Sequence, residues 1–100
     1  MAVDITEYQN LGMDALGARV AVGMEPARAV QQIAESGTST ACAADFQDTT
    51  RFVRIHTTAA IRIAFGKTPT AAATSQRMAA GATEFFGVTP GLRVAVITTT

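Results

Sequence analysis

The chain has a single histidine, His56, the side-chain type best suited to act as a general base near neutral pH. Such a base needs a nucleophile or an acid within hydrogen-bond reach and a second group that orients the ring. The alternation of residues 51–57 places His56 on the same strand face as Arg54 and Phe52, without a serine or a carboxylate at strand spacing. We therefore interpret His56 as an exposed or interface-facing residue of a strand.

Cys42 is the only cysteine and lies in an apolar segment, residues 41–44, with no basic side chain beside it. A reactive thiolate needs an electropositive neighbour. We therefore expect Cys42 to be a small buried hydrophobic residue. One cysteine cannot form an internal disulfide, which indicates a reducing compartment at synthesis.

Asp45 and Asp48 are close enough in sequence to ligate a hard cation together with backbone oxygens. A turn before a strand explains them better, because aspartate side chains form hydrogen bonds with turn backbone. One cysteine and one histidine also disfavour a structural zinc site, and Gly12 and Gly17 lack the Lys-Ser/Thr of a phosphate loop. The sequence therefore predicts no enzyme, with no catalytic, metal-binding or cofactor-binding residue.

The composition excludes further classes of protein. The 100 residues suffice for one domain, and the 48% hydrophobic content argues against disorder. Eight acidic residues balance eight basic ones, so no basic face is expected to bind nucleic acid. No apolar run reaches the ~20 residues of a membrane helix, and residues 1–7 lack the pattern of a secretory signal. We expect neither a nucleic-acid nor a membrane partner.

Four segments alternate between apolar and polar side chains with a period of two, which is typical of half-buried strands. They are residues 19–22, 51–57, 61–65 and 92–98, with turn-forming residues at 57–60, 66–69 and 89–91. This spacing predicts an all-β fold, a single antiparallel β-sandwich or jelly-roll-like domain of about seven strands. The predicted core comprises Val53, Ile55, Ile61, Ile63, Phe65, Val94 and Val96.

One connection and one segment need a structural assignment. The turn at 89–91 is predicted to join 84–88 and 92–98 as a hairpin. For residues 26–36, Pro26 at a first helical position and Gly37 as a cap favour a helix. The all-β surroundings favour a strand that returns through residues 41–46, because tertiary context often overrides propensity. We predict the strand.

Residues 1–17 are predicted to form an extended N-terminal arm or a first strand, and residues 18–100 the β-sandwich domain. As a first strand, the segment would cover one sheet face. As an arm, it would reach a neighbouring copy or a larger assembly, with Tyr8 and Leu11 in pockets and its backbone paired with an exposed sheet edge.

Arginine and phenylalanine indicate contacts with other chains. Seven arginines against one lysine suit ion pairs that are partly buried between chains, although a codon bias would also enrich arginine. Phe85 and Phe86 are adjacent, so one of the two rings should face away from the core of a sandwich. The predicted protein-interface residues are Tyr8, Leu11, Arg54, His56 and Phe86.

A series of short motifs resembles small proteins encoded among the head genes of tailed bacteriophages and prophages. The motifs are TRFVRIH at 50–56, IAFG at 63–66, TPTA at 68–71, MAAG at 78–81, EFFGV at 84–88, PG at 90–91 and VAVI at 94–97. The likeness covers roughly residues 30–98 and is a pattern of strands and turns. It does not include the N-terminal segment.

The resemblance implies a structural virion protein that decorates or cements the capsid shell. The implied partners are the major capsid protein and further copies of the chain, as a homo-oligomer on the capsid exterior, after synthesis in the host bacterial cytoplasm. Such proteins have no active site, so the resemblance assigns no catalytic residue.

Other functions stay open. A head–tail or fibre-associated virion role is equally compatible with the motifs, and a phage-encoded inhibitor of a host protein is a further alternative. A carbohydrate-binding β-sandwich usually presents several exposed Trp or Tyr rings, whereas this chain has no Trp and only Tyr8.

Overall fold

The computed structural model describes residues 2–13, 16, 19–23, 25–34 and 36–99 of the chain. Within these residues the secondary structure consists of ten β-strands and no helix. The strands are β1 (Ala2–Tyr8), β2 (Leu11–Met13), β3 (Arg19–Gly23), β4 (Ala29–Ala34), β5 (Thr40–Ala41), β6 (Phe52–Thr57), β7 (Ile61–Gly66), β8 (Gln76–Met78), β9 (Thr83–Gly87) and β10 (Arg93–Thr98). Accordingly, the described part of the chain contains no helix that could cross a membrane.

Eight of the strands form two four-stranded sheets. The first sheet has the order β4-β1-β6-β9 and the second sheet the order β5-β10-β7-β8, while β2 and β3 form a separate hairpin. Every strand pair is antiparallel. The predicted all-β sandwich is therefore confirmed, with eight strands in its sheets where about seven were expected.

The strands pair as a nested series. β7 pairs with β8, β6 with β9, and β5 with β10, and these pairs alternate between the two sheets. The next pair in the series is β4 with β1. This is the winding of a jelly roll, with the eighth strand supplied by β1 in place of a strand after β10.

The turn at residues 89–91 has the predicted local geometry. Gly91 has a φ of 86°, and the Leu92 amide donates to the Thr89 carbonyl oxygen at 3.4 Å. However, the turn connects β9 of the first sheet to β10 of the second, so the predicted hairpin is wrong. The turn at 57–60 likewise leads from β6 to β7 across the sandwich. Turn residues reverse the chain locally but do not determine which sheet receives the next strand.

Residues 29–34 form a strand, as predicted, although its partner differs from the expected one. β4 pairs with β1, with Val3 opposite Ile33, and not with residues 41–46. Of the two alternatives for residues 1–17, the structure has residues 2–8 as a strand, placed between β4 and β6 in the first sheet. The predicted domain boundary between residues 17 and 18 lies outside the described residues.

The core lies between the two sheets. Six of the predicted core residues are buried, namely Val53, Ile55, Ile61, Ile63, Val94 and Val96, and Phe65 packs against them from the margin. The remaining core side chains are Val3, Ile5, Ile33, Cys42, Phe46 and Met78. Thus β1 supplies core residues that the sequence pattern alone did not assign.

Glu7 is a charged side chain within this core, with only 1% of its surface exposed. Its Oε1 atom accepts hydrogen bonds from the Thr50 hydroxyl at 2.7 Å and from the Gln47 amide at 2.9 Å. Its Oε2 atom accepts a hydrogen bond from Gln31 Nε2 at 3.2 Å. Glu7 therefore connects β1 to β4 and to the segment that precedes β6, which compensates for the loss of hydration on burial.

Candidate protein-interaction face

The side of the first sheet that points away from the core is here called the outer face. Residues directly opposite each other in antiparallel strands share a face, so the strand register defines rows across it. The rows are Gln32, Asp4, His56 and Thr83; then Val30, Thr6, Arg54 and Phe85; then Tyr8, Phe52 and Gly87. The outer face is thus polar at one end and aromatic at the other.

The aromatic end contains a continuous set of ring contacts. The Tyr8 and Phe52 rings stack with centroids 5.5 Å apart, and the Phe52 and Phe85 centroids are 6.1 Å apart. An open groove of about 270 Å³ borders these rings, here called the aromatic groove. It is lined by Leu11, Phe52, Phe85, Phe86 and Gly87.

Two predicted interface residues, Tyr8 and Leu11, have different surroundings. Tyr8 is only 6% exposed, because its ring lies against Gly23 of β3 and its hydroxyl donates to Glu25 Oε2 at 2.7 Å. Leu11 is 40% exposed and lines the aromatic groove. Tyr8 therefore holds the β2–β3 hairpin against the sandwich, and Leu11 is the one of the two that a partner can reach.

Phe85 and Phe86 point to opposite faces of β9, as their adjacency predicted. Phe86, the predicted interface residue, packs against the core and against Phe65, with ring centroids 5.3 Å apart. Phe85 is the ring on the outer face and is 46% exposed. Of the two rings, Phe85 is thus the one that lies exposed on the outer face, and the assignment of Phe86 as an interface residue stays a prediction.

Arg54 and His56 are half-buried on the outer face, one row apart. The register places Asp4 opposite His56 on one side and Thr83 on the other, with the Thr83 hydroxyl 2.8 Å from His56 Nδ1. Both neighbours lie on other strands, so spacing along β6 alone does not identify them. Asp4 Oδ1 is buried and has no hydrogen-bond partner among the described residues.

Cys42 is buried in the core, as its apolar neighbours predicted. Its Sγ atom contacts the Ala44 carbonyl oxygen at 3.4 Å and accepts from the Val94 amide at 3.5 Å. Burial raises the pKa of the Cys42 thiol, and the Val94 hydrogen bond opposes that rise only in part. The buried thiol is therefore held in its neutral, unreactive form.

Asp45 and Asp48 are exposed in the segment between β5 and β6. Asp45 Oδ1 pairs with Arg93 Nε at 2.5 Å, and this hydrogen bond raises the pKa of the Arg93 guanidinium. Among the described residues, no group of three or more His, Cys, Asp or Glu side chains is placed to hold a metal ion. The arrangement thus gives Asp45 a partner in β10.

Comparisons with known proteins leave the resemblance to phage proteins as a prediction. No family model, no curated protein and no solved structure matches the chain.

The contact between Tyr8 and Glu25 has a measurable consequence. The pKa of Tyr8 is raised above its ordinary value of 10.0. The largest cause is the hydrogen bond from the Tyr8 hydroxyl to Glu25, and the second is burial of the hydroxyl. The stabilisation from this contact is therefore complete below pH 10.0 and is lost as the pH rises through the folded-state pKa. We expect alkaline titration of the phenolate absorbance to give a pKa above 10.0, and Glu25→Ala to lower it toward that value.

The chain has one tyrosine and no tryptophan, so the phenolate absorbance reports Tyr8 alone. Glu84→Ala, which removes an exposed carboxylate from another strand, is the matched control and should leave the pKa unchanged. Equal titration curves for the wild type and Glu25→Ala would contradict the assigned contact.

Proposed function

We propose that the chain is a structural virion protein of a tailed bacteriophage that decorates or cements the capsid shell from its exterior through protein–protein contacts. The observation that best supports a binding role is the aromatic groove, in which Leu11 and Phe85 remain exposed beside the half-buried rings of Phe52 and Phe86. Exposed apolar groups that line a concave surface are typical of protein-binding sites.

The chemistry of the groove favours a protein partner. Its lining is apolar, while Arg54 lies beside Phe85 in the next strand of the outer face. Interface centres are enriched in aromatic residues and depleted in charge, with arginine the favoured charged residue. A groove of about 270 Å³ accommodates a protruding apolar side chain of the major capsid protein, which is the occupant we propose.

The fold supports this role only by analogy with other proteins of the same architecture. Jelly-roll domains occur in viral capsid proteins and also in lectins. For the carbohydrate-binding alternative, a sugar platform would need an exposed ring with a polar partner. Tyr8 is buried against Gly23, which leaves Phe85 as the exposed ring beside Arg54. One exposed ring is fewer than the several that sugar platforms usually present, so the geometry supports a protein partner better than a glycan.

The first experiment is an inventory of purified particles of the phage that encodes the chain. Quantitative mass spectrometry should find the protein in the particles at a copy number in fixed proportion to the major capsid protein. A decoration protein binds in many copies, because many weak contacts on a symmetric shell act together. Absence from the purified particles would contradict the proposal.

The second experiment locates the contact. Shells are mixed with the full chain carrying Leu11→Ser or Val30→Ser and then sedimented. Both changes remove an exposed apolar side chain, but Val30 lies on β4, at the opposite edge of the outer face from the aromatic groove. We expect Leu11→Ser to weaken binding at least about tenfold, as for a groove-lining contact, and Val30→Ser to bind like the wild type. Equal binding by the two variants would contradict the groove as the contact site.

A further inference from the structure

The edge of the first sheet at β9 has an open row of backbone groups. Two hydrogen bonds that flank the β6–β9 ladder define its phase: the Val88 amide donates to the Arg51 carbonyl at 3.1 Å, and the Thr57 amide donates to the Ala82 carbonyl at 3.1 Å. These bonds make Arg51–Val88 and Thr57–Ala82 hydrogen-bonded residue pairs. In an antiparallel pair of strands, hydrogen-bonded and non-hydrogen-bonded residue pairs alternate. The pairs Phe52–Gly87 and His56–Thr83 are therefore of the non-hydrogen-bonded type.

It follows that alternate residues of β9 face in opposite directions. Glu84 and Phe86 direct their N–H and C=O groups to β6, whereas Thr83, Phe85 and Gly87 direct theirs away from the sheet. No further strand of the described structure pairs with this side of β9. Unpaired edge groups are a template for another strand.

Within the two four-stranded sheets, the other edges are shorter or contacted by a loop. In the second sheet, β5 has two residues and β8 has three, and short strands are poor edge templates. At the far edge of the first sheet, the Gln31 side chain of β4 donates to the Ala44 carbonyl and accepts from the Ala44 amide, both at 3.1 Å. The five residues of β9 contain neither lysine nor proline, the residues that usually protect an edge.

We propose that β9 pairs with β9 of a second copy of the chain, antiparallel across a two-fold axis, so that the two first sheets join into one eight-stranded sheet. This interface shares Phe85, Phe86 and Gly87 with the aromatic groove, but its partner is a second copy of the chain and not the shell, so it does not depend on the proposed function. An isologous contact of this kind closes at two copies, which is the commonest symmetry of soluble oligomers.

The pattern of outward groups and the overlap of the two strands together favour one register. With Phe85 opposite Phe85 of the second copy, all five residues overlap, and Thr83 lies opposite Gly87 in both directions. A shift that places Thr83 opposite Phe85 would put Glu84 directly opposite Glu84, and like charges in that position destabilise a sheet. When Phe85 lies opposite Phe85, Glu84 of each copy lies opposite Phe86 of the other. The two Glu84 side chains are then diagonal neighbours about 7–8 Å apart.

The side chains are compatible with this register. The two Phe85 rings, each 46% exposed in one copy, become a cross-strand aromatic pair, which is among the stabilising pairings of sheets. The formal net charge of the chain is zero, so overall repulsion does not oppose association of identical copies.

Cysteine cross-linking tests the register directly. Phe85→Cys places two thiols opposite each other in a hydrogen-bonded pair, whose Cα atoms are about 5.5 Å apart, a distance that suits a disulfide. Thr83→Cys is the matched control, because two copies of residue 83 would lie about 13 Å apart along the strands. Under mild oxidation of the full chain we expect a covalent dimer from Phe85→Cys and none from Thr83→Cys or from the wild type, whose Cys42 is buried.

Sedimentation equilibrium tests the strength of the contact. The wild type should have twice the chain mass of 10.4 kDa at high concentration. Phe85→Lys places like charges opposite each other and should weaken the dimer at least about tenfold, whereas Val30→Lys on β4 should not. Glu84→Gln removes the diagonal repulsion and should strengthen the dimer, a gain that damage to the fold would not produce.

Three results would overturn the proposal. They are a wild type that stays at 10.4 kDa up to millimolar concentration, equal cross-linking of Phe85→Cys and Thr83→Cys, and a dimer that Val30→Lys weakens as much as Phe85→Lys does. A particle inventory that lacks the protein leaves the dimer intact, so the two proposals fail separately.

Discussion

Replacement of Glu7 by alanine is expected to lower the free energy of unfolding by about 3 kcal/mol or more. The carboxylate is buried and accepts hydrogen bonds from Thr50, Gln47 and Gln31. Its removal leaves the Thr50 hydroxyl and the Gln47 backbone amide without their acceptor and creates a cavity, and both effects destabilise the folded state. For a domain of this size the melting temperature should fall by roughly 10–20 °C.

Glu7→Gln separates the role of the hydrogen bonds from that of the side-chain volume. The amide oxygen can replace Oε1 and keep the bonds from Thr50 and Gln47, but the amide nitrogen then faces the Gln31 donor. We expect Glu7→Gln to lower the free energy of unfolding by about half as much as Glu7→Ala, measured by urea denaturation at neutral pH. Asp48→Ala, which removes an exposed carboxylate, should change the stability by less than about 0.5 kcal/mol. If Glu7→Ala changed the stability as little as Asp48→Ala, the result would contradict the buried hydrogen bonds assigned to Glu7.

Replacement of Gly23 by alanine is the second change with a large expected effect. A Cβ atom at this position would overlap the Tyr8 ring. The ring has little room to move, because it stacks on Phe52 and its hydroxyl is bonded to Glu25. We expect a loss of about 1–3 kcal/mol, as for an overpacked core, together with displacement of the β2–β3 hairpin.

The readout again uses the single tyrosine of the chain. When the hairpin moves away, Tyr8 becomes accessible, so quenching of its fluorescence by acrylamide should increase while the core remains folded. Gly37→Ala is the matched control, because an added Cβ atom there meets nothing within 4 Å. Unchanged quenching in Gly23→Ala would show that the hairpin does not rest on Tyr8 as described.

The sequence predicted the class of fold and half of the buried core. The alternation around Val53 and Ile55, and again around Ile61 and Ile63, is a local property with a period of two. It identifies which side chains are buried in any sheet, whatever the order of the strands. For this reason the core residues were predicted correctly even though the hairpin at 89–91 was not.

The surroundings of the predicted interface residues were less accessible to sequence reasoning. Phe85 and Phe86 were known to face opposite ways, but only the packing of Phe86 on Phe65 determines which of them is exposed. Tyr8 was expected to bind a partner, yet it is covered by contacts with Gly23 and Glu25, which are distant in sequence. In the sequence, the adjacency of the two phenylalanines indicated that one ring is exposed, but not which one.

The sequence by itself thus determined the β class, the positions of several strands and turns, and the burial of their alternating side chains. Only the tertiary structure decided that β1 lies within the first sheet, that Glu7 is buried and that Asp4 and Thr83 flank His56. The physical reason is the range of the interactions. Side-chain alternation and turn geometry depend on a few neighbouring residues, whereas strand pairing depends on contacts between segments that are far apart in the chain.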